Sequence, residues 1–306
     1  MRRASTRKSS SGSYGIPDAH SDEAVTEAIR LGGAVSERDI RGRTDFRPVA
    51  TVTIDGEHAR DFDDAITIEK LPNGNFWLGV HIADVSHYVQ EGSALDREAY
   101  ERGTSVYFPE RAVHMFPSEL ATGLCSLNPH VDRLVQSCMM EVDRRGQVVR
   151  HEFHDGVINS DERMTYTAVN GILTDRDPEL LKQYAPLVPM FEQMRELFQI
   201  LNDARRRRGS IDFDLNEAEV IMDEAGRVEA IIALERNVAH RLIEEFMLLA
   251  NETVASYSRR RMRRRCTAFT KSRTSSRSPS SRSSSRASAT AWRRRPTRFG
   301  RGTSRS

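Results

Sequence analysis

Cysteine is scarce in this chain: Cys125, Cys138 and Cys266 are the only three among 306 residues. Three scattered thiols make no disulfide framework, so no disulfide partner is expected and the usage fits a reducing cytoplasm. Long hydrophobic runs are missing too. No apolar stretch approaches the roughly 18 residues that a membrane span needs, and Met1-Arg2-Arg3 is not followed by the apolar core of a secretory signal. The last absence is of negative charge at one end. From Arg259 to Ser306 there are 17 Lys and Arg but no Asp or Glu. The formal net charge of +2 therefore hides an acidic body, with 29 basic against 44 acidic residues, and a strongly basic tail.

What is present is concentrated in one stretch, Thr53-Ile54-Asp55-Gly56-Glu57-His58-Ala59-Arg60-Asp61-Phe62-Asp63-Asp64-Ala65. Asp55 and Asp61 would lie roughly 20 Å apart if the chain were extended, but the Asp-Gly step permits a turn that brings them together. Converging carboxylates repel by about 4 kcal/mol per pair at 4 Å and an effective dielectric near 20. Such a cluster is tolerable mainly around a hard cation, with magnesium the natural choice. An acidic surface loop is the other reading, and the residues alone leave both open. A calcium loop counted from Asp61 fails, because Ile66 stands where Gly is needed and Pro72 where a bidentate Glu is needed. No thiol or imidazole pair stands here at zinc spacing.

Patterning predicts an α+β domain with several antiparallel hairpins. Ser21 to Leu31 reads as a helix ended by Gly32-Gly33. Val49 to Ile54, Ala65 to Glu69 and Phe76 to Ile82 read as strands, the last two joined by a Pro72-Asn73-Gly74 turn. Ser93 to Arg102 is helical, and Gly103 to Pro129 is mostly irregular. Long irregular stretches inside a domain are often functional. Leu134 to Asp143 and Val148 to Ile158 form a hairpin. Met164 to Leu173 and Glu179 to Arg208 are helical, a second hairpin spans Glu219 to Leu234, and Arg236 to Tyr257 is an amphipathic helix. The expected division is a disordered basic N-terminus over 1–18, a helical lead-in over 19–48, a catalytic domain over 49–258 and a disordered tail over 259–306.

The stretch Thr53 to Ala65 resembles the catalytic signature of the ribonuclease II/ribonuclease R family, the RNB exoribonucleases, and most resembles the ribonuclease R branch. His81-Ile82-Ala83-Asp84-Val85-Ser86-His87-Tyr88-Val89, Gly103-Thr104-Ser105-Val106-Tyr107-Phe108-Pro109 and Leu124-Cys125-Ser126-Leu127-Asn128-Pro129 are similar to the blocks that follow. Arg163-Met164-Thr165-Tyr166, Arg208-Gly209-Ser210-Ile211-Asp212-Phe213 and Arg236 to Asn251 continue in the family's order. The resemblance implies an RNB domain built on a mixed, largely antiparallel sheet with flanking helices. It also implies an exoribonuclease II-type enzyme: a magnesium-dependent, processive 3′→5′ hydrolase of single-stranded RNA that releases nucleoside 5′-monophosphates. Carried over by position, Asp55, Asp61, Asp63 and Asp64 bind the metal and help to position the attacking water. Tyr107 and Phe213 stack on bases, and Glu244 is a helix glutamate near the site. Arg163 either contacts phosphate or pairs with an acidic neighbour, and His81, His87 and His240 are structural.

The resemblance also implies parts that the sequence does not contain. The family carries two OB-type domains before the catalytic domain, an S1-type domain after it, and a Thr-Ser-Pro-Ile-Arg-Arg segment in the second half of the domain. The expectation is therefore an RNB domain incomplete at its C-terminal half. Residues 259–306 hold 12 serines and few large apolar groups. They read either as an arginine-serine RNA-binding arm or as coding sequence read out of frame, the latter because a shifted reading of permitted codons yields family-like sequence. The competing function is a non-catalytic RNA-binding protein that uses this tail.

Overall fold

The computed structural model describes residues 17–109, 111–210, 217–223, 227–234 and 236–272. The chain divides into two compact units, Met1–Ser258 and Arg259–Ser306. The first is built on a seven-stranded sheet in the order β1-β8-β7-β4-β3-β2-β9. Its strands are β1 (Thr44–Asp45), β2 (Val52–Asp55), β3 (Asp64–Lys70), β4 (Phe76–Ala83), β7 (Asp132–Val142), β8 (Val148–Asn159) and β9 (Glu162–Thr165). Two hairpins stand apart, β5 (Val106–Phe108) with β6 (Arg111–Val113) and β10 (Glu217–Met222) with β11 (Val228–Leu234). The central pairs β3/β4, β4/β7 and β7/β8 are antiparallel, whereas β1 lies parallel to β8 and β9 parallel to β2. The architecture is α+β with a largely antiparallel sheet, as the patterning predicts.

Alternation along β3 explains why the sheet is covered on both faces. Ile66 and Ile68 enter one core with Val52, Ile54, Phe76, Leu78 and Met140. Ala65, one residue out of phase, enters another with Phe62, Ala83, Leu127 and Val135. The four longer helices are α1 (Asp22–Leu31), α2 (Ala94–Arg102), α3 (Val188–Arg207) and α4 (Val238–Ser272). The first core is closed by Phe191, Met194, Leu197 and Phe198 of α3 and by Leu242, Ile243 and Phe246 of α4. A third cluster joins Ala24 and Ala28 of α1 to Leu95, Leu120, Leu124 and Leu134. Ser21 caps α1 by accepting from Ala24 N, and Glu98 of α2 accepts from both Ser21 N and Ser21 Oγ.

Four expectations need correction. Met164 and Thr165 belong to β9 rather than to a helix, because Thr165 serves as the extended cap whose hydroxyl accepts from Ala168 N. The helix expected over Glu179–Arg208 is split into Pro178–Gln183 and α3. Pro186 explains the break: it has no N–H to donate and its ring crowds the preceding turn. The stretch Gly103 to Pro129 holds the β5/β6 hairpin and a π-helical turn, Glu119–Leu124. Lastly, α4 continues through Ser272, past the Tyr257 end and into the span predicted to be disordered. That span was judged by its lack of apolar area, but Val238–Ser272 contains neither Gly nor Pro and Arg is a good helix former. Residues 273–306 lie outside the described residues. No described helix is long and apolar enough to cross a membrane, and Cys125 and Cys138 are buried and free.

Candidate metal and RNA site

Asp55 ends β2 and Asp64 begins β3, so the loop Gly56–Asp63 is the connection between two antiparallel neighbours. Little within the loop holds it, apart from Ala59 N donating to Gly56 O at 3.2 Å. Its conformation is imposed from outside. Arg163, on β9, donates through Nη2 to Gly56 O at 2.6 Å and to Glu57 O at 2.8 Å. The Ser126 hydroxyl accepts from Phe62 N at 3.0 Å and donates to Arg60 O at 2.9 Å. Leu127 N donates to Phe62 O, and Ala83 N to Asp63 O, both at 2.9 Å. The Phe62 side chain is 5% exposed and sits in the core with Leu127 and Ile158. Burying it contributes about 1.5–3 kcal/mol and leaves Asp61 and Asp63 on either side of an anchored residue.

Electrostatics bring out what the geometry costs. Burial, with Asp64, Asp63 and Asp61 nearby, pushes the Asp55 carboxyl up to about 7, although the Arg163 guanidinium pulls the other way. Burial and Asp63 push Asp64 up to about 6. Burial and Asp61 raise Asp63 as well. Asp55 Oδ2 is buried and has no hydrogen-bond partner, a state that costs free energy unless something else satisfies the atom. Repelling carboxylates, one with an orphaned oxygen, are the donor set that a hard cation satisfies. Even so, among the described residues no three His, Cys, Asp or Glu side chains already form a cage of ligand dimensions. The fit is therefore one of donor chemistry and charge.

The expected site residues fall into three groups. Asp55, Asp61, Asp63 and Asp64 lie near enough to act on one another's charge, and Tyr107 reaches Asp61. Its hydroxyl donates to Asp61 Oδ2, while the side chain stays 64% exposed. Burial and this bond to Asp61 push the Tyr107 phenol up to about 12. Arg163 donates through Nη2 to two backbone carbonyls, lies over the Phe62 ring at 5.6 Å and is near enough to Asp55 to pull its carboxyl down. Glu244 has no described contact with the aspartates and instead pairs with Arg205 at 3.4 Å and with Arg236. Both partners lie off α4, Arg205 on α3 and Arg236 just before α4 begins. Phe213 lies outside the described residues.

Several residues escaped the sequence reading. His114 on the β5/β6 hairpin places Nδ1 3.5 Å from Asp61 Oδ2, and its ring meets that of Tyr107 edge-on, with centroids 6.3 Å apart. Only the pairing Val106↔Val113 brings it there, and no local signal in the sequence announces it. Burial, Asp55 and Asp64 push Tyr166 up to about 12, and it stacks on His240 at 3.9 Å. Ser126 is itself positioned by Arg133, which is 7% exposed and donates to Ser126 O at 2.7 Å and Gly123 O at 3.1 Å. His81 is fully buried against Ser137 Oγ at 2.7 Å, and burial pushes its pKa down to about 4, so it is a neutral core group.

Comparison with known proteins agrees with this architecture. The family model described as "RNB domain" matches residues 43–280, past Ser258. Ribonuclease R of Thermotoga maritima is 51% identical over 240 residues, covering 78% of this chain and 34% of its own length. Ribonuclease R of Escherichia coli is 48% identical over 236 residues, covering 77% and 29%. The solved structure of Mycoplasma genitalium RNase R in complex with ribose methylated single-stranded RNA has a TM-score of 0.74 and 31% identity, covering 82% of this chain and 39% of that one. The chain thus spans about a third of the length of the curated relatives it matches. With most of its length matched, the chain belongs to the RNB-domain family.

Proposed function

We propose that this chain carries the cutting site of a 3′→5′ exoribonuclease, acting on single-stranded RNA by metal-assisted hydrolysis and releasing nucleoside 5′-monophosphates. The observation that carries the reading is the orphaned oxygen of Asp55, beside Asp63 and Asp64, whose carboxyl groups like its own are pushed up, and near the exposed Tyr107. Asp55, Asp61, Asp63 and Asp64 would hold the cation, with magnesium the proposed one. Bound there, it would polarise the scissile phosphate and lower the pKa of water.

The rest follows from the chain's own groups. At neutral pH Asp55 and Asp64 sit close to their pKa values, so a cation displaces protons as it binds. Arg163 and Ser126 fix the backbone that carries the carboxylates. Tyr107 is tethered through its hydroxyl to Asp61, which leaves a ring face for a terminal base. Stacking of that kind is worth about 1–3 kcal/mol per base and does not depend on base identity. The M. genitalium RNase R complex with single-stranded RNA supports the substrate class.

The test is incubation of the full chain with 3′-labelled single-stranded RNA and magnesium. Mononucleotide release that disappears in Asp63→Asn is the expected result. RNA binding without release, from a folded sample, would leave the second reading, a non-catalytic RNA binder. That reading is favoured by the lack of a preformed cage among the described residues.

A further inference from the structure

We propose that the end of the sheet opposite the carboxylates is a second contact for single-stranded RNA, made by Arg144 and Arg145 on the β7–β8 turn and by Arg206 and Arg207 in the last turn of α3. The proposal rests on the RNA reading of the chain but concerns a different surface. Along β7, Val135 pairs with Ala83, whose N–H holds Asp63 O, while Val142 at the other end leads into the turn. Seven residues of strand place the turn roughly 20 Å from the cutting site.

The two elements meet directly. A Cβ built on Gly146 would lie 3.0 Å from Ala204 Cβ, and Arg207 Nη2 reaches Arg145 O at 3.5 Å. All four arginines are exposed. None has a carboxylate partner among the described residues, although Arg205 and Arg208, on either side of Arg206 and Arg207 in sequence, each have one. Arg205 pairs with Glu245 at 2.7 Å and Arg208 with Glu252 at 3.0 Å. The two acids nearest the turn are otherwise engaged, and Asp203 of α3 forms no ion pair with Arg206 or Arg207. Asp143 Oδ1 accepts from Arg145 N and Gln147 N, and Glu141 accepts from Asn73 and Asn75.

Arginines ending a helix are explained by its dipole, but that does not account for Arg144 and Arg145 at a hairpin tip. The two elements that carry these four positive charges touch, and a polyanion would neutralise charges of one sign held on adjoining elements. Guanidinium forks match phosphate oxygens two at a time. Phe153, farther along β8 and 37% exposed, meets Tyr257 of α4 with ring centroids 4.9 Å apart. This aromatic pair lies roughly 15–20 Å along β8 from the turn, within the span of a single strand that leaves the arginines, and aromatic faces are what such strands stack on.

The experiment measures binding of labelled single-stranded RNA to the full chain in EDTA, so that hydrolysis does not enter. Substituting Arg144, Arg145, Arg206 and Arg207 together by Gln should weaken binding of an RNA of about 20 nucleotides tenfold or more. It should also make log K against log salt shallower by about 3. An RNA of about four nucleotides, too short to reach from the cutting site, should bind as before. The fourfold Arg→Lys variant should keep the salt slope and lose only part of the affinity, which separates charge from folding. Phe153→Ala should weaken binding and leave the salt slope alone. A Gln variant that matches the parent on the long RNA overturns this proposal and spares the RNA reading. A parent that binds no RNA overturns both. Loss of polyglutamate binding with RNA affinity intact would assign the patch to acidic proteins and also overturn it.

Discussion

Strand β3 is entered and left by two connections that work on opposite principles. The exit, Leu71–Asn75, satisfies its backbone within itself, and only its Asn73 and Asn75 side chains reach out, to Glu141. Leu71 N donates to Asn75 O and Gly74 N to Leu71 O, each at 2.8 Å, and Asn75 N donates to Asn73 Oδ1 at 2.9 Å. The entry, Gly56–Asp63, is held by Arg163, Ser126, Leu127 and Ala83, none of them within 19 positions of the loop. A turn that only reverses the chain can be written locally. A loop that must hold repelling carboxylates in place needs distant braces, because its own charges push it apart. Substitutions at the two ends of β3 should therefore separate stability from activity.

The largest effect is expected at Arg163. Arg163→Ala removes two hydrogen bonds to the loop and the one cation that pulls down the Asp55 carboxyl. Supporting residues of this kind commonly cost 10–100-fold in metal affinity or activity, and magnesium titration of RNA cleavage should show a loss of about that size. Arg163→Lys should recover little, since a point charge does not span two carbonyls as a guanidinium does.

Next comes a pH effect on stability. The folded-state values of Asp55 and Asp64, about 7 and about 6, lie above the ordinary 3.8. Between those limits the folded protein binds more protons than the unfolded chain, so stability falls as pH rises. Each unit is worth about 1.4 kcal/mol, and the loss should reach a few kcal/mol between about pH 4 and pH 7. Thermal unfolding in chelator should show a falling Tm across that range, magnesium should restore it, and Asp55→Asn should flatten the dependence. A Tm that rises with pH would show that the cluster is not repelled when empty of cation.

Ser126→Ala follows. It leaves Phe62 N and Arg60 O without their partner in a part-buried place. Roughly 2–3 kcal/mol of stability should be lost, measured by urea unfolding, and magnesium affinity should fall with it because the loop loosens. Together with Arg163, this separates a brace from a ligand: both substitutions act through the loop backbone, and neither removes a carboxylate.

How much of this was legible follows from the same contrast. The strands around Ile66, Leu78 and Met140, the α1 cap at Ser21 and the Pro72-Asn73-Gly74 turn depend on neighbours in sequence, and patterning found them. The four aspartates and Tyr107 were found by resemblance, and their meeting is visible in the fold. His114 and Arg133 have nothing in their local sequence to mark them, and Ser126, although inside a family-like block, has partners, Phe62 N and Arg60 O, that no local pattern gives. Arg163 was singled out, but its partners, Gly56 O and Glu57 O, are backbone atoms more than a hundred positions away, which no side-chain pattern records. The break at Pro186 in the helix expected over Glu179–Arg208 was legible from the proline and was not used. The continuation of α4 through Ser272 was missed because composition was weighed above helix propensity.

The smallest effect should come from the exit turn. Gly74 has φ near +81°, a conformation that an L side chain adopts only under strain. A Cβ there would also lie 2.0 Å from Arg144 Nη2, the free end of a flexible side chain that can swing aside. Gly74→Ala should therefore cost about 1 kcal/mol, mostly from the backbone, and lower Tm by a few degrees. The turn lies at the far end of β3 from Asp64, so magnesium dependence and cleavage of a short RNA should not change. The displaced Arg144 should weaken binding of long RNA slightly, in the same direction as the fourfold arginine variant and by less. Were Gly74→Ala to lower magnesium affinity as Ser126→Ala does, the two ends of β3 would be coupled through the strand, and the separation between a self-contained turn and a braced loop would not hold.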